Sequence, residues 1–197
     1  MKQIILLATA CITACVSVRA QHVGIGTTTP AFRLDVAGSI NTDSVYRIGG
    51  NTVLTVKGTA NTFTGVQSGI ANSTGTENSA VGYRSLFSNA TGSYNTATGM
   101  EALFANTTGT FNTGIGWHAL RANTTGTANA AMGEALEYNT TGSYNTGLGH
   151  GALYQNTTAD ANTAVGSFAL LSNTTGYSNS AFGVDAMRNN TTGSQNT

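Results

Sequence analysis

A short, strictly spaced repeat is the feature that most constrains what this chain can fold into. Asn recurs at a period of seventeen, with one interval of sixteen, at Asn61, Asn78, Asn95, Asn112, Asn129, Asn145, Asn162 and Asn179. Gly follows each of these four positions later, at Gly65, Gly82, Gly99, Gly116, Gly133, Gly149, Gly166 and Gly183. A disordered chain needs a composition but no fixed spacing, so this regularity indicates an ordered array.

The second half of each repeat is also regular. An apolar column stands at Leu86, Leu103, Leu120, Leu136, Leu153, Leu170 and Met187, and a small residue precedes each member. A second Asn column stands at Asn72, Asn89, Asn106, Asn123, Asn139, Asn156, Asn173 and Asn190. The unit is therefore N-[TS]-x-x-G-x-x-A-L-x-x-N-T-T-G-x-x, and each column keeps a size class. We expect each column to keep one environment in the fold.

One unit is too short for two helices and a turn, but it suits one coil of a β-solenoid or β-roll. The stretch N-T-A-V-G at 162–166 predicts a short strand that packs through its Ala/Gly and Val/Ile/Leu positions. The stretch at 101–106 predicts a single short helical turn, and T-T-G then reverses the chain with Gly at positive φ. Stacked coils would align the Asn residues into hydrogen-bonded ladders. The predicted fold class is all-β.

The tetrapeptide N-T-T-G raises a competing interpretation, since Asn-x-Ser/Thr is the acceptor signature for N-glycosylation. Independent sugar acceptors need no fixed phase relative to an apolar column. Turn residues do need it, and Gly closes this tetrapeptide in seven of the eight units, Ala159 being the exception. We therefore interpret the tetrapeptide as the corner of each coil.

The chain divides by composition into four segments. Residues 1–20 are predicted to be a signal peptide, 21–60 a small N-terminal β cap with three short strands, and 61–195 eight repeats. Residues 196–197 are interpreted as the start of a ninth, truncated repeat. The unit at 129–144 is one residue shorter than the others, and the loss falls between Gly133 and Ala135.

The leader has Lys2 followed by an uncharged, mostly apolar run that is too short for a membrane span. We expect export, with cleavage between Ala20 and Gln21. The alternative is lipoprotein processing, because the letters ITAC resemble a lipobox that would place a lipid on Cys15.

Composition excludes several classes of function. The chain has eight basic and eight acidic residues, a charged share of only 8%, and no basic stripe, which excludes a nucleic-acid partner. Both cysteines lie in the leader, so the body has no disulfide framework. No catalytic, cofactor-binding or metal-binding site is predicted. His118 and His150 stand at different offsets in their units, as do Glu101 and Glu134, so neither pair predicts a site.

One Leu and one Val-like residue per coil are too few to offset the conformational entropy that is lost when a whole coil becomes ordered. Additional burial is needed, and side-by-side association of identical chains would supply it. We expect a homo-oligomer, specifically a trimer.

The pairing of VGIGTTTPAFRLDVAGSI (23–40) with units such as NTAVGSFALLSNTTGYSN (162–179) resembles secreted tail-fibre-like repeat proteins of Bacteroidetes-type bacteria. These repeats also resemble the head repeats of trimeric autotransporter adhesins such as YadA. The adhesin unit is somewhat shorter, so its trimeric β-roll is an analogy and not a register-for-register match. The resemblance implies a trimer on the outer surface that meets a host-surface or glycan receptor.

Three functions remain as hypotheses. The first is a non-enzymatic, secreted or cell-surface fibre module of adhesin or tail-fibre type, without cofactor. The second is an ice- or carbohydrate-binding solenoid that presents the Thr rows of N-T-T. The third is the stalk of a larger fibre whose C-terminal chaperone or hydrolase domain is missing from this sequence.

Overall fold

The computed structural model describes residues 23–25, 34–36, 45–55 and 57–197. Two compact units divide the chain, Met1–Asp43 and Ser44–Thr197. In the first unit, β1 (Val23–Ile25) pairs in parallel with β2 (Leu34–Val36). The predicted signal peptide, its cleavage position and the alternative lipidation site lie outside the described residues. No helix in the described residues is long and apolar enough to span a bilayer.

The second unit is an all-β solenoid, which confirms the predicted fold class. It begins with a hairpin of β3 (Val45–Ile48) and β4 (Asn51–Thr55), which adds antiparallel to the first coil strand. Eight parallel three-residue strands follow, one from each coil. They are β5 (Thr62–Thr64), β6 (Ser79–Val81), β7 (Thr96–Thr98), β8 (Thr113–Ile115), β9 (Ala130–Met132), β10 (Thr146–Leu148), β11 (Thr163–Val165) and β12 (Ser180–Phe182). The hairpin pairs one edge of β5, which leaves the stack of coils to grow from the other.

The solenoid core is a column of Leu packed against a column of small residues. The central residue of each strand points inward and is Ala or Gly in seven of the eight strands, as at Ala97, Gly114 and Ala164. The Leu column is fully buried opposite it. The residue that follows each central residue alternates outward and is Val, Ile, Leu or Met in five of the eight strands. Val81 and Met132 are 44% and 52% exposed. The predicted packing is confirmed for the Ala/Gly positions, whereas the Val/Ile/Leu positions lie on the outward face of the coil, because side chains in a strand alternate between faces.

The first coil fills the same core with its large and small residues exchanged. Phe63 takes the place that Ala or Gly takes in later strands, and Gly69 takes the place of Leu. A Cβ added at Gly69 would overlap the Phe63 ring. The larger residue at position 63 and the smaller one at position 69 compensate each other in volume, which explains why this unit departs from the Ala-Leu pattern.

The helical turn predicted over the A-L-x-x-N stretch does not form, and the described residues contain no helix. Leu103 has a φ of 52° and Glu101 a φ of 55°, and the equivalent residues of most other coils are also left-handed. Leu103 N–H donates to the carbonyl of Ala119 in the next coil at 3.0 Å. A backbone donor used between coils is no longer free for the bond within the coil that a helix requires.

Gly of N-T-T-G was predicted to adopt positive φ, and that prediction was wrong. The Gly residues with positive φ belong instead to the column that follows the strands, for example Gly99 at 131°. In the N-T-T-G column the constraint is space. A Cβ added at Gly75 would lie 2.7 Å from Asn72 Oδ1 and would overlap the carbonyl oxygen of Gly92. Close stacking of coils, and not backbone freedom, selects Gly here.

Candidate functional site

Two asparagine ladders run through the interior of the solenoid. In the ladder formed by the N-T-T-G column, Asn123 Nδ2 donates to Asn106 Oδ1 at 2.8 Å, and Asn139 Nδ2 donates to Asn123 Oδ1 at 2.8 Å. In the ladder that precedes the strands, Asn112 N–H donates to Asn95 Oδ1 at 3.0 Å. The members from coil two to coil seven are essentially inaccessible to solvent in both ladders.

A shared carbonyl links the two ladders within each coil. Gly126 O accepts from Asn112 Nδ2 at 2.8 Å and from Asn123 Nδ2 at 3.0 Å. The same arrangement recurs in each of the other seven coils, with Ala159 supplying the carbonyl in the sixth. Each side-chain nitrogen that a glycan would modify therefore donates to backbone or side-chain oxygens inside the coil. The ladders satisfy buried amides and form no ligand site.

The structure also gathers charged residues along one corner of the solenoid. Glu101, 9% exposed, contacts Arg84 Nη1 at 3.1 Å, Arg121 Nε at 2.8 Å and His118 Nε2 at 3.5 Å. Its hydrogen bond from Arg121 and the nearby positive charges hold the pKa of Glu101 below its usual value, against the opposing effect of burial. Arg84 in turn lies 4.6 Å from the ring centroids of both Phe87 and Phe104.

Two further carboxylates reach this corner from the short coil. Glu137 Oε1 lies 3.2 Å from His118 Nδ1, and Glu134 Oε2 lies 2.8 Å from His150 Nε2. Glu137 is 5% exposed, and burial together with the neighbouring Glu134 raises its pKa. We refer to Glu101, His118, Glu134 and Glu137 as the charged cluster.

Three members of the charged cluster could hold a metal ion. One donor atom from each of His118, Glu134 and Glu137 lies within 4.8 Å of the donor atoms of the other two. Neighbouring Tyr154 is no anionic ligand at neutral pH, because its hydrogen bond with Tyr138, its burial and nearby Glu137 raise the pKa of Tyr154 to about 12.

The missing residue of the short coil creates this arrangement. Gly151 N–H donates to Glu134 O at 3.2 Å, as His118 N–H donates to Met100 O at 3.1 Å, so Glu134 aligns with Met100. The coil therefore lacks the next position, which holds Arg84, Glu101 and His118 in earlier coils and Gly151 in the following one. The ladders are unaffected, because the missing residue falls away from both Asn columns.

Sequence reasoning separated residues that the fold brings together. Offsets counted from the leading Asn place Glu101 and Glu134 at different positions, and Glu137 was not singled out. Alignment of the units on the Leu column would have placed Glu137 after Arg121 in one column and revealed Arg84, Glu101 and His118 in another. No protein-family model matches the chain, no curated protein matches its sequence, and no solved structure matches its fold.

Proposed function

We propose that this chain is a non-enzymatic repeat protein, secreted or held at the outer cell surface, that serves as a fibre module of adhesin or tail-fibre type. The observation that supports it best is the assignment of the repeated residues. Asn, Leu and Gly are used in contacts between coils, and identical contacts recur from coil to coil. A chain built in this way extends a scaffold and presents its variable outer residues to a receptor.

Export is the first element of the proposal that can be tested. The predicted leader supports it, and the mature N-terminus distinguishes the two processing routes. Intact-mass measurement of the chain recovered from a bacterial culture is expected to show Gln21 as the first residue. A diacylglyceryl mass on Cys15 would replace this route with lipoprotein anchoring. Retention of an unprocessed chain inside the cell would contradict export by either route.

Self-association to a trimer is the second element. Its support is the outward face of the strands, where Val81, Met132 and Phe182 are 44%, 52% and 68% exposed in register with one another. Packing of this face against a second copy would remove apolar surface from water. Sedimentation velocity of residues 21–197 is expected to give three times the chain mass, and Met132→Ser with Phe182→Ser to lower it. The matched control is Thr96→Ser on the same face. A stable, folded monomer at high concentration would overturn the element.

A hydroxyl lattice supports a second candidate function, binding of ice or of a carbohydrate. The second Thr of N-T-T is exposed in every unit, at Thr74, Thr91, Thr108, Thr125, Thr141, Thr158, Thr175 and Thr192. The first hydroxyl of the pair is committed to the next coil, as when Thr124 Oγ1 donates to Thr140 O at 3.0 Å. The exposed row repeats at the coil spacing of about 4.8 Å.

Thermal hysteresis and a glycan array test this second function. Activity in either assay is expected to fall when Thr108→Lys and Thr141→Lys interrupt the row. The control is Thr96→Lys on the strand face, which leaves the row intact. Absence of both activities in the unsubstituted protein would exclude the second function and leave the fibre proposal in place.

A further inference from the structure

We propose that His118, Glu134 and Glu137 bind a divalent first-row transition-metal ion of the zinc type. The residues come from adjacent coils, and their donor atoms lie within 4.8 Å of one another. One imidazole nitrogen and two carboxylate oxygens form a ligand set that zinc uses in proteins, with a fourth position left for water.

Distances within the charged cluster suit one shared ion. Donors bound at about 2.0–2.2 Å to a tetrahedral ion lie about 3.4 Å apart. His118 Nδ1 and Glu137 Oε1 already stand 3.2 Å apart. Closure of the site therefore requires a side-chain adjustment at Glu134, whose side chain is 15% exposed.

The second observation is a buried carboxylate oxygen without a donor partner. Glu137 Oε2 is inaccessible to solvent and receives no hydrogen bond from a donor group, and Glu137 as a whole is only 5% exposed. The carboxyl groups of Glu137 and Glu134 can share a hydrogen bond only while one of them is protonated. Buried polar atoms are almost always satisfied, so an orphaned carboxylate oxygen beside two other donors indicates a missing cation. A bound ion would compensate the charge of Glu137 and accept this oxygen or its neighbour as a ligand.

Neighbouring side chains contact two of the three proposed ligands, as the residues that surround the ligands of known metal sites do. Metal-binding His residues commonly turn their second ring nitrogen toward a carboxylate, which fixes the ring and its tautomer. Glu101 Oε2 lies 3.5 Å from His118 Nε2, and Glu101 is itself held by Arg84 and Arg121. With Nε2 protonated and facing Glu101, Nδ1 of His118 would be free to bind the proposed ion beside Glu137. On the other side, His150 Nε2 contacts Glu134 at 2.8 Å.

A pocket beside Glu134 supplies a route for the ion. It has a volume of about 190 Å³ and is lined by Glu134, His150, Gly151, Tyr154, Phe168 and Leu171. The pocket lies where the short coil lacks a residue and Gly151 carries no side chain. The missing position thus leaves a pocket that reaches Glu134, one of the three proposed ligands.

Calorimetric titration of Zn²⁺ into the metal-free full chain, without an affinity tag, tests the proposal. One Zn²⁺ per chain is expected to bind saturably. Glu134→Gln and His118→Gln are each expected to weaken binding by at least about tenfold, while Glu77→Gln, an exposed acid outside the cluster, leaves it unchanged. Ca²⁺ in place of Zn²⁺ is expected to give no comparable binding.

Co²⁺ provides a readout that does not depend on folded variants. The unsubstituted protein is expected to develop the intense visible absorption of four-coordinate Co²⁺, and Zn²⁺ to abolish it. Either an absence of saturable Zn²⁺ binding, or binding that Glu134→Gln and Glu77→Gln affect equally, would overturn the proposal. Tight Ca²⁺ binding with weak Zn²⁺ binding would overturn the assigned class of ion.

Discussion

The asparagine ladders and the charged cluster are both polar and both largely buried, yet they are built in opposite ways. Every coil adds the same residue to a ladder, and each amide has a partner of its own kind above and below. The charged cluster takes Glu101, His118 and a pair of glutamates from three successive coils, and one of its oxygens receives no hydrogen bond from a donor group. The first arrangement can extend without limit, whereas the second can occur at one place only.

This difference distinguishes residues that build the coil from residues that occur at one site only. Positions that repeat are constrained by neighbours that also repeat, so their residues are explained by the coil itself. Positions that vary at a buried site need another reason, because buried charge is costly unless it is compensated. The short coil joins the two regions, since it preserves both ladders and alters only the corner that carries the cluster.

Breaking a ladder is expected to have the largest effect. In Asn123→Asp the new carboxylate cannot donate to Asn106 Oδ1 or Gly126 O, and it places a charge in a solvent-free column. Loss of two buried hydrogen bonds should lower the free energy of unfolding by about 3 kcal/mol or more. Urea denaturation followed by circular dichroism measures this loss.

Asn189→Asp is the matched control, because Asn189 is exposed and belongs to neither ladder. It should change stability by less than about 0.5 kcal/mol. Equal losses in the two variants would contradict a structural role for the buried column. A similarly large loss of stability is expected for Asn139→Asp. This variant tests whether the ladder hydrogen bond to Asn123, which spans sixteen residues, contributes as much as those that span seventeen.

Gly126→Ala tests the close stacking that surrounds the ladders. An added methyl group would overlap Asn123 Oδ1 and the carbonyl oxygen of Gly142. The expected loss is about 1–2 kcal/mol, smaller than for the ladder variant, because overpacking can be relieved by small shifts and one coil already carries Ala159 at this position. Urea midpoints compared with those of Ala159→Gly, which should gain stability or remain unchanged, measure it. Two losses of equal size would show that space does not select Gly.

The sequence carried enough information to predict the parts of this fold that repeat. The spacing of Asn78, Asn95 and their equivalents predicted stacked coils and ladders of amides, because identical residues at equal intervals occupy identical environments. It could not predict that Leu103 adopts a left-handed conformation. That choice depends on a hydrogen bond to a residue one coil away, and local propensity favours a helical turn for the same letters.

The charged cluster could not be predicted from offsets counted from the leading Asn, for a related physical reason. Glu101 and Glu134 belong to units two coils apart and differ in offset, and a difference in offset suggests that two residues occupy separate columns. Stacking of coils also joins different columns, as in the contacts of Arg121 with Glu101 and of Glu137 with His118. The expected trimer likewise depends on surfaces that a single chain does not constrain, and it stays a prediction.

Glu101→Gln probes the satisfied part of the charged cluster. The pKa of Glu101 is lowered in the fold, so its carboxylate contributes stability above its usual value of 4.5, and this contribution is lost as pH falls through the lower folded pKa. The variant should be less stable by about 1 kcal/mol at pH 7, since its partners are partly exposed. The difference should disappear on acidification. Unfolding curves from pH 7 to pH 3 measure it, and a pH-independent difference would contradict the ion-pair account.

Glu137→Gln should have the smallest effect, and its sign should be opposite. Burial and Glu134 raise the pKa of Glu137 above 4.5, so the fold favours the neutral form, and the stability it contributes at low pH is lost as pH rises through the folded pKa. The ionised carboxylate of Glu137 therefore destabilises the metal-free protein at neutral pH. A neutral amide of the same shape should raise the free energy of unfolding by about 0.5–1 kcal/mol at pH 7.5 in the presence of a chelator.

At pH 4 the gain from Glu137→Gln should vanish, because the carboxyl group of the unsubstituted protein is then largely protonated in the fold. A variant that is destabilised equally at both pH values would mean that the contact between Glu137 and His118 is an ordinary structural ion pair. A variant that gains stability only without metal would separate the two regions of the molecule. The ladder residues would then be explained by the stability they give to the fold. Glu137 would be explained by metal binding, since it lowers the stability of the metal-free protein.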